Sequence, residues 1–260
     1  TATTEISPLS LHDALPIYSF GDPNLETTFV SRMLEQRCES IIMAGGVTDW
    51  VKLPEDYRST LQRVAAQVPL ICTAPVELDH CYQITINQAG AVYQSLAHLV
   101  ALGHRRIAFL YGPINCFQSV ERREAFCTLM QEMGLELRRE YLIEASDFSD
   151  AAGYDAMLRA LSLAEPPSAV ITSNDMIAVG GLRAARHLGM KLPQDMSIIG
   201  FDDSLLADLA VPQLTSVHVD YAAYAKLILD TVCAAINGKD MPKLQTFDTT
   251  LSVKDSCYRI

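Results

Sequence analysis

The side chains of this sequence best suited to chemistry cluster where apolar runs end. After the run at 106–112 comes GPINCFQSVERR, which carries Arg122. After 140–146 comes Asp147-Phe148-Ser149, after 169–173 comes Asn174-Asp175, and after 196–200 come Asp202 and Asp203. If those runs are parallel strands, the loops share the end of a sheet at which open α/β sheets bind ligands. A guanidinium, an amide and a carboxylate beside an aromatic face suit a polyhydroxylated or heterocyclic small molecule. The polar groups would hydrogen-bond its edges and the ring would stack on its face.

Each of these residues also has a purely structural reading. Arg122 is expected in the first turn of a helix over 119–134 capped by Ser119, where the helix dipole disfavours a cation. Either a ligand oxygen or a neighbouring carboxylate, Glu121 or Glu124, should then compensate. Asn174 and Asp175 could cap the helix that follows them, and Asp202 with Asp203 could be an ordinary acidic turn. Phe148 could be core, although its polar flanks favour partial exposure. Tyr221 opens a helix over 221–237 and could pack there.

Signals for catalysis are poor. The sequence has no GxSxG, Walker-type phosphate loop, HExxH or GxGxxG. His80, His104, His187 and His218 lack metal-ligand spacing, and His104 is expected to serve the end of the helix before it. Asp202 and Asp203 are adjacent after a strand and should point apart, which makes them a poor acid–base pair. No enzymatic activity, metal or cofactor is expected.

The elements that would position these groups alternate. Helical patterns at 24–37, 59–66, 88–103, 119–134, 150–163, 175–189 and 221–237 separate apolar strand-like runs at 40–45, 68–73, 106–112, 140–146, 169–174 and 196–203. Extended segments follow at 215–220 and 244–255. Continuous apolar strands between helices imply parallel sheets covered on both faces. The 260 residues fit two such lobes better than one, and 49% apolar content can fill their cores. With 31 acidic against 20 basic residues, net −11, the chain itself is poorly suited to gripping a phosphate backbone. It holds no apolar run long enough for a membrane span. Seven cysteines, an odd number without a CxxC pair, suit free thiols in a reducing compartment better than a disulfide framework or a zinc site.

Residues 1–17, TATTEISPLSLHDALPI, show no sustained period and join the rest abruptly. They resemble a translated sequencing adapter, from which they differ only at Ser7 and Pro8. They are expected to be an artefactual leader and are set aside from the fold.

Several segments together resemble one family. LVALGHRRIAFLYGP at 98–113, ERREAF at 121–126, AVITSNDMIAVGGLRAARHLGMKLPQDMSIIGFDD at 169–203 and VPQLTSVHVD at 211–220 stand in the order and spacing of the lactose/galactose repressor (LacI/GalR) effector-binding domain. The resemblance covers roughly 18–256. It implies an α/β fold of two Rossmann-like lobes, periplasmic-binding-protein-like type I, each a parallel sheet flanked by helices, with three crossovers. The N-terminal lobe would take 18–87 plus about 220–247, and the C-terminal lobe 88–219 plus about 248–260. It also implies effector contacts at Arg122, Phe148, Asn174, Asp202 and Tyr221, which turns the structural readings of Arg122, Asn174 and Asp202 into ligand roles.

The resemblance further implies a cytoplasmic homodimer whose DNA contacts lie in a helix-turn-helix domain absent from these residues. Its effector would be a sugar, a sugar acid or a purine. LLADL at 205–209 is either a subunit contact or core. The match begins only near the family's second strand, so the N-terminal lobe is expected to lack a strand and helix and to fold poorly around an open groove. The alternative is a periplasmic sugar-binding protein of a transporter; the seven cysteines and LGHRRIAF favour the repressor.

Overall fold

The computed structural model describes residues 16–260, and the chain divides into two compact units. Most of the leader, residues 1–15, lies outside the described residues. Unit 1 runs up to Ile86 and resumes at Tyr221–Phe247; unit 2 comprises Asn87–Asp220 and Asp248–Ile260. The chain therefore passes between units three times.

Unit 1 begins with α1 (Pro23–Glu35), β1 (Ile41–Met43), α2 (Glu55–Ala65), β2 (Leu70–Cys72) and β3 (Cys81–Ile86). Asp22 starts α1 by accepting from the Asn24 and Leu25 amides, with Pro23 preset for the first turn. Val30, Leu61, Val64 and Leu70 fill the core on that side of the sheet. A buried carboxylate ties the layer together. Glu26 accepts from Ser19 Oγ at 2.6 Å, from the Val47 amide at 3.0 Å and from the Tyr57 hydroxyl. Gly46 lies so close to Glu26 that a side chain there would strike the carboxylate.

Unit 2 then contributes α3 (Gln88–Ala101), β4 (Ile107–Tyr111), α4 (Phe117–Glu132), β5 (Leu142–Glu144), α5 (Asp150–Leu161), β6 (Ala169–Thr172), α6 (Asp175–His187), β7 (Ser197–Asp202), α7 (Leu205–Leu209) and β8 (Thr215–His218). The chain returns to unit 1 for α8 (Tyr221–Ile236) and β9 (Leu244–Phe247), and ends in unit 2 with β10 (Thr250–Ser252) and a tail.

The unit 1 sheet is parallel throughout, in the order β1-β2-β3-β9. The unit 2 sheet runs β10-β8-β7-β6-β4-β5, parallel except for β10. After β4 the chain steps outward to β5, then crosses back past β4 to β6. The winding direction reverses between β4 and β6, and the carboxyl ends of those two strands open the crevice where such sheets take ligands.

Two departures from the sequence reading have plain causes. The strand at 81–86 was not anticipated, yet Tyr82, Ile84 and Ile86 alternate with Gln83 and Thr85, a half-buried strand pattern closed by the Asn87 cap of α3. It lies inside the unit 1 sheet, between β2 and β9. The helix expected over 119–134 starts earlier, at Phe117, with Cys116 at its cap and Ser119 buried within its first turn. The Ser119 and Val120 amides close on the Cys116 carbonyl, so the backbone turns helical before the serine is reached.

Glycines set the helix layer of unit 2. A β-carbon on Gly180 would run into the Asp150 carbonyl oxygen, and one on Gly153 into that of Ile177, so α5 and α6 touch backbone to backbone. The tail after β10 is fastened by side chains. Ser256 Oγ accepts from the Thr215 amide at 2.8 Å and donates to Ile198 O at 2.5 Å. His104 bridges Ser168 Oγ and Ser197 Oγ, each at 2.9 Å, with the Tyr258 carbonyl 3.0 Å from Nε2. The histidine serves the helix end as expected, its amide donating to the Leu99 carbonyl at 3.0 Å, and its ring also fastens the C-terminal tail. Among the described residues no helix is long and apolar enough to cross a membrane.

Candidate functional site

Four of the five sequence-derived candidates belong to unit 2: Arg122 in the helix after β4, Phe148 in the loop after β5, Asn174 after β6 and Asp202 at the end of β7, around the reversal point. Arg122 sits in the second turn of α4, not the first, so the dipole argument for a compensating group there no longer applies. Its guanidinium is buried and held by groups the sequence did not single out. Nε donates to Gln88 Oε1 at 2.7 Å, Nη1 donates to the Ser173 carbonyl, and the group lies 3.4 Å from the Phe201 ring centroid. An oriented amide, a carbonyl and a π-face stabilise a desolvated cation in place.

Each neighbour in this cradle leads to another candidate. Asn174 follows Ser173 and caps α6 by accepting from the Ile177 amide at 2.8 Å. Its Nδ2 also donates to the Phe148 carbonyl at 3.1 Å, which fixes the loop after β5. The capping reading of Asn174 is thus realised. Phe148, 36% exposed, lays its ring on Gly112, where any β-carbon would collide with it. A glycine at the end of β4 lets the ring reach the reversal point.

Asp202 follows Phe201 and adopts φ of +102°, and Asp203 follows at +49°. Left-handed backbone at two successive non-glycine residues costs energy and needs support from outside. Asp203 supplies it. Its carboxylate takes Lys254 Nζ at 2.7 Å and His218 Nδ1 at 3.0 Å, and its amide donates to Ser216 Oγ. Burial pushes the Asp203 carboxyl up, but Lys254 and His218 outweigh it and hold the group below its ordinary range. Lys254 also reaches Asp208 Oδ1 of α7 at 2.6 Å. The two aspartates therefore divide roles: Asp203 braces the turn that presents Asp202.

Asp175 is a second brace. It is 1% exposed and accepts from Ser216 Oγ, the Ser204 amide and Ser204 Oγ at 2.6–2.8 Å. Burial raises its carboxyl above the ordinary range despite those three donors. The sequence put Asp175 in view only as a cap. Gln88 and Ser173 gave no signal beyond standing beside a helix cap and a strand end. Tyr221, the remaining candidate, opens α8 in unit 1 and is 52% exposed. No group of three or more His, Cys, Asp or Glu among the described residues could hold a metal ion.

The periplasmic binding protein-like domain model matches residues 96–257, most of unit 2 and the return through unit 1. The chain belongs to the periplasmic binding protein-like domain family. Within this family its relatives are regulators. It is 30% identical over 203 residues to the HTH-type transcriptional regulator DegA of Bacillus subtilis (strain 168), an alignment covering 75% of this chain and 57% of DegA. The chain thus spans less than two thirds of that relative's length.

Among solved structures of this fold, the transcriptional regulator CelR–cellobiose complex superposes with a TM-score of 0.79 at 24% identity, covering 90% of this chain and 70% of that one. The Lac repressor dimer bound to operator and the anti-inducer ONPF gives 0.78 at 21%, covering 91% and 80%. Other relatives that the chain matches over part of their length also carry the names of regulators, Catabolite control protein A of Priestia megaterium and the HTH-type transcriptional repressor PurR of Glaesserella parasuis among them.

Proposed function

We propose that unit 2 binds a small effector, a sugar, a sugar acid or a purine, across the carboxyl ends of β4 and β6. In the whole protein this binding sets the affinity of a helix-turn-helix domain for operator DNA. Arg122 supplies charge and paired donors, Asp202 accepts from hydroxyl or ring N–H groups, Phe148 offers a face, and Asn174 fixes that face while keeping a second N–H. The observation that carries this reading is the braced turn: Asp203, Lys254 and His218 hold a strained Asp202 beside the Arg122 cradle. Strain held in place at a ligand-binding end is characteristic of functional sites.

The whole protein acts as a cytoplasmic homodimeric repressor on this reading. Leu205, Leu209 and Val211 are each about two thirds exposed or more, which favours a subunit contact over core for the α7 segment. The effector regulates only by binding the two states of that dimer unequally.

Asp202→Asn is the cleanest test, because asparagine tolerates positive φ and keeps the shape. Against a panel of sugars, sugar acids and purines, calorimetry should find a ligand for the native chain and a loss of about 10- to 100-fold in the variant, the range expected when a charged hydrogen-bond acceptor is removed. A ligand bound equally well by both proteins would refute the site. Arg122→Ala is less clean, since burial of the guanidinium means its removal also costs stability.

A further inference from the structure

Seven free cysteines are spread over the chain, and two of them meet. Cys72 ends β2 and Cys81 begins β3, on neighbouring parallel strands in which Leu70 pairs with Cys81 and Cys72 with Gln83. The thiols are thus diagonal neighbours on one face, with Sγ–Sγ 3.5 Å. Both side chains are essentially buried in the unit 1 core. The other five cysteines are only partly buried.

Local electrostatics distinguish the two sulfurs. The two thiols share the hydrogen bond between Cys81 Sγ and Cys72 Sγ, and that bond is the main cause that draws Cys81 below its ordinary range; burial opposes this and Lys243 adds to it. Cys72 is pushed up, first by that same bond and then by burial. Lys243 is brought near by its carbonyl, which accepts from the Gln83 amide, but its Nζ lies 3.7 Å from the ring centroid of Tyr82 on the other face of β3, so it acts on Cys81 through charge and not through contact. A lowered thiol beside a raised one is the arrangement of a nucleophilic and a resolving cysteine.

We propose that Cys72 and Cys81 form a redox-active dithiol, a modification site that closes to an intramolecular disulfide with hydrogen peroxide as oxidant. The Cys81 thiolate attacks one peroxide oxygen, giving the sulfenic acid and releasing hydroxide. The Cys72 sulfur then attacks the sulfenic sulfur, forming the S–S bond and expelling the oxygen as hydroxide, which takes up the proton left by Cys72. The sum is two thiols and one peroxide to one disulfide and two waters. Burial makes the reaction wait on local opening, and β1 and β2, three residues each, are the short strands through which unit 1 can open. The Cys72 and Cys81 sulfurs already stand in hydrogen-bond contact, so the disulfide should form here first.

The sequence makes the test direct. No Lys or Arg lies between Arg63 and Arg105, so trypsin releases both cysteines, and no others, in one peptide. The full chain is treated with stoichiometric hydrogen peroxide, unfolded, alkylated and digested. The expected product is this peptide two hydrogens lighter and unalkylated, restored to two alkyl groups by dithiothreitol, while the other five cysteines still alkylate. Dimedone should label Cys81 in the Cys72→Ser variant and leave Cys72 unlabelled in Cys81→Ser. The proposal fails if the peptide keeps both thiols while Cys38 or Cys233 oxidises, or if Cys72 pairs with a cysteine outside it. Because the native chain alone decides the first result, a variant that does not fold leaves the test intact.

Discussion

The two units solve the same problem of a buried carboxylate by different means. In unit 1, Glu26 gathers a loop hydroxyl, a backbone amide and a tyrosine into one knot that packs α1 against α2 and the turn after β1. All its donors are neutral. In unit 2, Asp175 is likewise satisfied by neutral donors, but Asp203 beside it carries Lys254 and His218. The neutral knot only stabilises. The charged cluster also fixes a strained turn at the carboxyl end of β7. Buried charge is costly unless its partners are well placed, and here it stands where geometry matters more than stability.

That contrast can be broken most severely at Gly180. Alanine there would drive α5 and α6 apart, since the obstacle is backbone, and unit 2 should lose about 3 kcal/mol or more. Hydrogen exchange should show lost protection in α5, α6 and β6 with unit 1 amides unchanged. Equal loss in both units would mean they do not open separately.

Glu26→Ala should act in unit 1, costing it about 2–4 kcal/mol through two buried donors, the Val47 amide and the Tyr57 hydroxyl, left without an acceptor. Protection at Val47 and the α2 amides reports it, and an unchanged melt would remove the knot from the account.

A smaller effect separates the units by pH. Burial lowers the His104 pKa below its ordinary 6.5, and burial lowers His98 in the same unit. The unfolded chain then binds the proton more readily, so this contribution is complete above about pH 6.5 and is lost as pH falls below it. Unit 2 should therefore weaken as pH falls below about 6.5, with the larger share from the buried His104. A His104→Gln variant should flatten the profile; an identical profile would assign it to other groups.

The smallest effect is expected at Lys226, exposed on α8 and paired with Asp230 at 2.6 Å one helical turn away. Lys226→Ala should change stability by less than about 0.5 kcal/mol, as for other exposed pairs. A larger change would show that α8 contributes through its surface.

How much of this was legible in the sequence follows from the range over which each signal acts. The strands entering the reversal point read directly, because buried parallel strands are continuous apolar runs, and Gly103, Gly134 and Gly189 mark helix ends at positive φ. The β3 strand was harder, since half its residues are polar. Among the candidates, Asn174 showed its capping role in its type and position. Arg122, Phe148 and Asp202 were visible as residue types at strand ends, but not their partners. Gln88 lies far from Arg122 in sequence, Lys254 farther still from Asp203, and nothing local links either pair. The same holds for Glu26 and Tyr57, and for Cys72 and Cys81, whose meeting depends on strand register.

The path of the chain has a consequence for synthesis. Unit 2 is not complete when its first stretch emerges from the ribosome at Asp220. Its edge strand β10, the Lys254 that braces the Asp202 turn and the Tyr258 carbonyl at His104 arrive only after α8 and β9 have been made. Domains that fold as contiguous units can settle as they emerge. Here Asp203 has His218 and Ser216 once the first stretch is made but must wait for Lys254 until α8 and β9 have followed, so the Asp202 turn should settle later than the rest of that stretch.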